Sequence, residues 1–320
     1  MANALSSRLS GQARFWAWAS LVSEILIVVT GGVVRLTGSG LGCTDWPECT
    51  AGHLTTTPEQ GIHGAIEFGN RMLTGVLIII AVATLLAVRG AALKHGGSRS
   101  ATRMAWVLIA GIFVQAVVGG VTVWIKLIPW LVGVHFVLSA IMILLSTVLV
   151  WRVYQPATAS MPKVASALAH PLAWFGGIVV FIGVLTTGAG PHAGDIKSVR
   201  NGLSFEIVEK FHSAPAYALL LIELIIVVAL WRNAAAAAQI RRSALILSGL
   251  LVATVAQATL GIVQTYLVTP AVPALLVGFH MFGAATLISL LTFSWLSLRG
   301  SKALASETAA EPTGKQSIAN

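Results

Sequence analysis

Eight long apolar runs constrain this chain more than any other feature. They fall at roughly 15–34, 64–88, 104–125, 131–151, 172–188, 211–231, 243–266 and 275–298. Each approaches the ~20 residues that carry a helix across a hydrocarbon core of about 30 Å. In lipid the backbone must satisfy its own hydrogen bonds, so runs of this length form spanning helices. Composition agrees: the 320 residues are 56% hydrophobic and 10% charged, against about 25% charged residues in soluble domains. Arg8 and Arg14 precede the first run as in a signal peptide, but the run is long and lacks a small-residue cleavage site. It is read as a spanning helix. The expected fold is an all-α polytopic membrane protein with eight spans, numbered 1 to 8 in chain order.

Charge orients these spans. Of the 20 lysines and arginines, only Arg35, Arg71, Lys126, Lys197, Arg200 and Lys210 lie on the side facing odd-to-even connections. The others precede span 1, follow the even spans or follow span 8, which puts both termini in the cytoplasm of a cell-membrane protein. Topology and anionic lipid account for the net charge of +9 without a nucleic-acid partner. The last stretch, 301–320, has the composition of a disordered cytoplasmic tail.

The spans repeat. "EFGNR" (67–71) in span 2 and "EKFHS" (209–213) in span 6 place Glu67 against Glu209 and Asn70 against His212, 142 positions apart. "QAVVG" (115–119) and "QATLG" (257–261) share that offset, and "LVGVH" (131–135) and "LVGFH" (276–280) are 145 apart, as a slightly longer loop before span 8 would make them. "VVTGG" ending span 1 loosely matches "VLTTG" ending span 5. The chain therefore divides into two tandem four-helix units, 1–151 and 152–300. Four crossings return the chain to the same side, so the units are parallel repeats about a pseudo-twofold axis along the membrane normal.

Ionisable groups in spans are costly and mark function. His135, His212 and His280 lie near the outer ends of spans 4, 6 and 8, and Glu67 and Asn70 hold the same place in span 2, followed by Arg71. His63, Glu67 and Asn70 share one helix face at i, i+4, i+7. A histidine near a helix end is commonly interfacial; three at one depth in repeat-related positions point to a site. Two neutral imidazoles, His212 and His280, suit an iron held between helices, and a porphyrin supplies the remaining ligands that a bare zinc would need from protein. Gln115 and Gln257 read as helix-to-helix hydrogen-bonding residues. His95 and His170 read as solvated, His192 as a solvated loop residue or a cap or haem-propionate contact, and Glu24 and Glu223 as buried carboxyls that are hydrogen-bonded or protonated. The only two cysteines, Cys43 and Cys49, share the first outer loop and are expected to form a disulfide, as a structural staple or a redox pair. A metal site of that pair with His53 lacks a second ligand pair. "GSGLGC" is no phosphate loop, because no strand precedes it.

Taken together, "TGSGLGCTDWPEC", "IEFGNR", "LVGVH" and "LVGFH" resemble the motifs of heme A synthase, the membrane enzyme that converts heme O to heme A for cytochrome oxidase. The resemblance runs from span 1 to span 8. It implies heme b in the C-terminal unit with His212 and His280 as axial ligands, and heme O in the N-terminal unit with His135 as one histidine of that site. It also implies Glu67 as the essential glutamate, Cys43 and Cys49 as the external cysteine pair, and oxidation of a porphyrin methyl to formyl through hydroxylation with water as oxygen source. The implied partners are the heme O substrate, heme O synthase, an electron acceptor and membrane lipid. The chain departs from the best-known members at Asn70, where they carry histidine, and matches a branch with asparagine there; the second unit lacks the cysteine pair some members have.

That departure leaves the sixth position of the N-terminal haem open. Either His135 alone holds it, with Asn70 and Arg71 beside an open face and Glu67 as general base, or it sits higher and uses His63 too. Two other functions compete: a di-haem b-type cytochrome that only relays electrons, and a repeat-built transporter, which the outer position of the histidines disfavours.

Overall fold

The computed structural model describes residues 2–95, 98–157, 159–190, 199–266 and 274–299. All eight expected spans are helices: Ala13–Leu36, Gly61–His95, Arg99–Trp124, Pro129–Tyr154, Ala169–Ala189, Phe205–Arg232, Ala238–Tyr266 and Ala274–Leu298. Each is long and apolar enough to cross a bilayer, and no strand occurs among the described residues. The chain is a multi-pass membrane protein. The expected tail at 301–320, the loop 267–273 and His192 lie outside the described residues.

Span 2 departs most from its apolar run. It is 35 residues long, about 52 Å at 1.5 Å per residue, and runs seven residues past the apolar stretch. Hydropathy reports contact with lipid, whereas helical hydrogen bonding continues beyond it. The extra inner turns are held by a short N-terminal helix, Ala2–Leu9. Ser6 donates its hydroxyl to the Leu86 carbonyl (2.7 Å), and Lys94 Nζ donates to the Ser7 carbonyl (3.0 Å). Gly90 permits this approach, because a Cβ there would overlap the Ser6 carbonyl.

Helix neighbours follow a simple pattern. Spans 1–2, 2–3, 3–4 and 4–1 touch in one ring, and spans 5–6, 6–7, 7–8 and 8–5 in a second. The rings meet through spans 8 and 1, 4 and 5, and 4 and 8. One buried core lies among spans 1 to 4, closed by Ala285 and Ile288 of span 8, and a second among spans 5 to 8. In the seam, Thr147 donates its hydroxyl to Ser289 Oγ (3.1 Å). Meanwhile Phe15, Ile79, Trp174 and Val252 are each more than 60% exposed, as lipid-facing side chains should be.

Candidate haem-binding sites

His212 lies two turns into span 6, and its Nδ1 is 3.0 Å from the carbonyl of Val179 in span 5. A carbonyl only accepts, so Nδ1 carries the proton and Nε2 keeps a lone pair, the arrangement that readies a histidine to ligate. Span 8 brings His280 opposite, with ring centres 6.4 Å apart. A metal bonded to both imidazoles at about 2 Å, with each ring centre roughly 1 Å behind its nitrogen, would set the centres about 6 Å apart. The two rings border a cavity of about 300 Å³ lined mainly by Val, Leu, Gly and Ala side chains. This is the lower end of the range of cofactor sites.

Glycines make room for the rings. A Cβ on Gly183 would come within 2.9 Å of His212 Cε1, and one on Gly261 within 3.7 Å of His280 Cε1. In the first unit Gly119 faces His135 in the same way, at 3.3 Å from Cε1. At Gly119 and Gly183 a side chain would crowd the ring, whereas at Gly261 it would meet His280 at an ordinary contact distance; of the matched "QAVVG" and "QATLG" stretches sequence reading singled out only the glutamine. That glutamine does bridge helices. Gln257 Nε2 donates directly to the His280 carbonyl (2.8 Å). Gln115 Nε2 donates to Ser139 Oγ (2.5 Å), which donates to the His135 carbonyl (3.1 Å). The repeat partner of Ser139 is Ala284, so the second unit lacks the hydroxyl relay and the amide reaches the carbonyl itself.

The first unit is built differently around span 2. Its Asn70 Oδ1 and the His135 Nδ1 are buried without a protein partner, which makes both available to something bound. His63, by contrast, is exposed at the N-terminal end of the helix, and its Nδ1 lies 2.9 Å from Oγ of the buried Ser39. Glu67 is 6% exposed. Its Oε2 accepts the Cys43 N–H (2.7 Å) and its Oε1 accepts Arg71 Nη2 (2.6 Å). Gly42 makes the first bond possible, since any side chain there would run into the His63 carbonyl.

Arg71, expected beside the substrate, is engaged with the loop between spans 1 and 2. Its Nη1 donates to the carbonyls of Asp45 (2.8 Å) and Glu48 (3.0 Å). Both residues lie in the loop closed by the Cys43–Cys49 disulfide, whose Cα atoms are 4.4 Å apart. The loop is further pinned by Trp124 Nε1, which donates to Asp45 Oδ1 and the Trp46 carbonyl (3.1 Å each), and by the Trp46 ring lying over Gly120. Mass-spectrometric mapping without reductant should recover the Cys43–Cys49 cross-link. Arg71→Met breaks a largely buried ion pair, a loss of about 3–5 kcal/mol when one partner goes. The loop 43–53 should then be cleaved faster by protease added to the purified protein; an unchanged rate would mean the arginine does not hold it.

The remaining polar candidates divide. Glu223 is fully buried and accepts Thr254 Oγ1 (2.9 Å), the hydrogen-bonded arrangement expected of it; Glu24 is buried in span 1. His170 packs edge-on against Trp295 at 6.4 Å. No group of three or more metal-ligating side chains occurs among the described residues, so the pair with His53 forms no such cluster.

Comparison with known proteins bears on the same architecture. A family model described as cytochrome oxidase assembly protein matches residues 14–195, which takes in nearly all of spans 1 to 4 together with span 5. The heme A synthase of Geobacillus thermodenitrificans is 31% identical over 173 residues, 52% of each chain. That of Exiguobacterium sibiricum is 27% identical over 172 residues, 52% of this chain and 56% of its own. A protoheme IX farnesyltransferase of Thermus thermophilus is 35% identical over 81 residues, 25% of this chain and 12% of its own. The chain thus spans about half the length of the curated heme A synthases it matches. Because the family match takes in more than half of the sequence and every element around Glu67, Asn70 and His135, the chain belongs to the cytochrome oxidase assembly protein family.

Proposed function

We propose that this chain is a heme A synthase, a membrane oxidoreductase that oxidises a methyl group of heme O to formyl. The observation that carries the reading is the unequal pair of sites on one repeated scaffold. The second unit presents two histidines across an apolar cavity, and the first presents His135 with an amide at Asn70. In this reading residues 1–151 bind heme O, residues 152–300 bind heme b, and both termini lie in the cytoplasm.

The donor set around the second cavity fits heme b, with His212 and His280 as its holders. When bound there, heme b supplies reversible one-electron transfer. The chain's own residues fix its surroundings: the Val179 carbonyl sets the His212 tautomer, Gly183 leaves space for the His212 ring, and the lining combines aliphatic with polar side chains. His212→Ala and His280→Ala should each remove the low-spin b-type spectrum of the purified protein or convert it to a high-spin one. Two single variants with wild-type spectrum and haem content would contradict the assignment.

In the first unit His135 holds the substrate and Asn70 lies beside its open side, since an amide oxygen binds iron far more weakly than imidazole. His63 stays outside this arrangement, occupied by Ser39. The oxygen added to the methyl group comes from water, so each two-electron oxidation step releases two protons and passes its two electrons to a separate electron acceptor. Glu67 is the carboxylate positioned to accept protons, because each of its oxygens has a lone pair beyond those engaged by Cys43 and Arg71. The similarity to a protoheme IX farnesyltransferase, which by its name modifies haem, supports a haem substrate and the reading of heme O synthase as a partner.

The decisive experiment supplies heme O to membranes containing the protein and analyses the extracted haems by chromatography. Heme A should accumulate with time. Retention of both haems without conversion would identify an electron-relaying cytochrome instead. Changing both Cys43 and Cys49 to serine in the same assay separates a staple from a redox pair, because only the latter stops turnover in protein that still folds.

A further inference from the structure

The cavity between His212 and His280 is not closed by the second unit alone. Arg35, in the last turn of span 1, lines it, and Nη2 of Arg35 donates to the Thr187 carbonyl of span 5 at 3.2 Å. Among the described lining residues Arg35 is the single lysine or arginine. The acidic member, Glu209, lies one turn before His212 on span 6. A porphyrin that enters this apolar space brings two carboxylates, and carboxylates removed from water need cationic or N–H partners. A guanidinium presents five donors in a planar fork that matches a carboxylate.

We infer that Arg35 of the first unit binds a propionate of the haem held by the histidines of the second, so that the second haem site is shared between the units. This rests on the heme b reading above. The placement follows from packing of the two units at their outer ends. Gly32, one turn before Arg35, lies against Met281, beside His280, and Gly278 lies against Leu36. Close approach of span 1 to span 8 brings the last turn of span 1 over the cavity, next to span 5. Glu209 repels a carboxylate on its own side and so favours the Arg35 side.

The consequence is a physical link between the sites. Arg35 ends the helix that leads directly into the segment carrying Ser39, which meets His63, and Cys43, whose N–H meets Glu67. Arg35 thus stands at the root of that segment while lining the cavity of the second unit.

The test compares haem with its propionate dimethyl ester in full-length apo-protein made without haem. The wild-type protein should bind haem about tenfold or more tightly than the diester, the effect of a charged hydrogen bond. In Arg35→Gln that preference should fall to near unity, while the low-spin spectrum persists because His212 and His280 remain. The midpoint potential of the variant should also move negative, since an unneutralised carboxylate favours ferric iron. Arg35→Lys should recover part of the preference. A merely structural arginine would lower affinity for haem and diester alike, leaving the preference at its wild-type value, and that result would overturn the inference. Absence of any low-spin haem in the wild-type protein would instead overturn the heme b reading, on which this one depends.

Discussion

Glu67→Gln should abolish heme A formation, a loss of at least ~10²-fold, while the low-spin haem spectrum of the second unit survives. The substitution is not a quiet one. Both partners of the Glu67 carboxylate are donors, the Cys43 N–H at 2.7 Å and Arg71 at 2.6 Å. Glutamine keeps one acceptor oxygen and turns an NH₂ group toward one of them, so a donor meets a donor. It also leaves the Arg71 guanidinium without its carboxylate partner while the carbonyls of Asp45 and Glu48 still hold it. Proton acceptance would fail and the tie between Glu67 and the Cys43 N–H would weaken, while the Arg71 anchor on the loop remains. Arg71→Met does the converse: it loosens the loop but leaves the carboxylate, so it should retain turnover that Glu67→Gln does not. Heme A per heme O supplied, measured by chromatography, gives the answer. More than a tenth of wild-type product from Glu67→Gln would remove Glu67 from the proton-handling role.

Sequence made the scaffold legible, because lipid imposes a local signal. Each span must be apolar over its own ~20 residues, and duplication leaves offsets of 142 and 145 that need no knowledge of packing. His212 and His280 were legible for the same reason, as polar residues where polarity is costly. What could not be read is pairing between distant spans. Nothing local to Arg35 indicates that its side chain borders the cavity of the other unit. Nothing near Ser39 announces His63 as its partner. The engagement of Arg71 with the disulfide loop depends on where Gly42 lets the chain approach span 2. The length of span 2 was missed for another reason: its inner turns are held by the N-terminal helix, a tertiary contact invisible to hydropathy.

The same kind of contact makes a test of the asparagine in the first unit. In the second unit the His212 ring rests over Gly183, where a Cβ would lie 2.9 Å from Cε1 and 3.3 Å from Nδ1. Thr30 matches Thr186, and Gly32 matches Gly188, each pair 156 positions apart, which sets Ile27 in the place of Gly183. Span 1 thus carries a branched side chain where a histidine at position 70 would need a bare backbone. Ile27 packs against the first core, so it cannot simply withdraw. Asn70→His alone should overpack this contact, at about 1–3 kcal/mol, and should yield no second bis-histidine haem signal. Adding Ile27→Gly, at a further cost of about 1 kcal/mol for glycine within a helix, should open the space and let the imidazole ligate opposite His135. The double variant should then show two low-spin haems by electron paramagnetic resonance and lose heme A formation, because both axial sides of the substrate are filled. Full expression and a second bis-histidine signal from Asn70→His alone would show that Ile27 excludes nothing. The asparagine would then be maintained by the chemistry at the open side rather than by the space available to it.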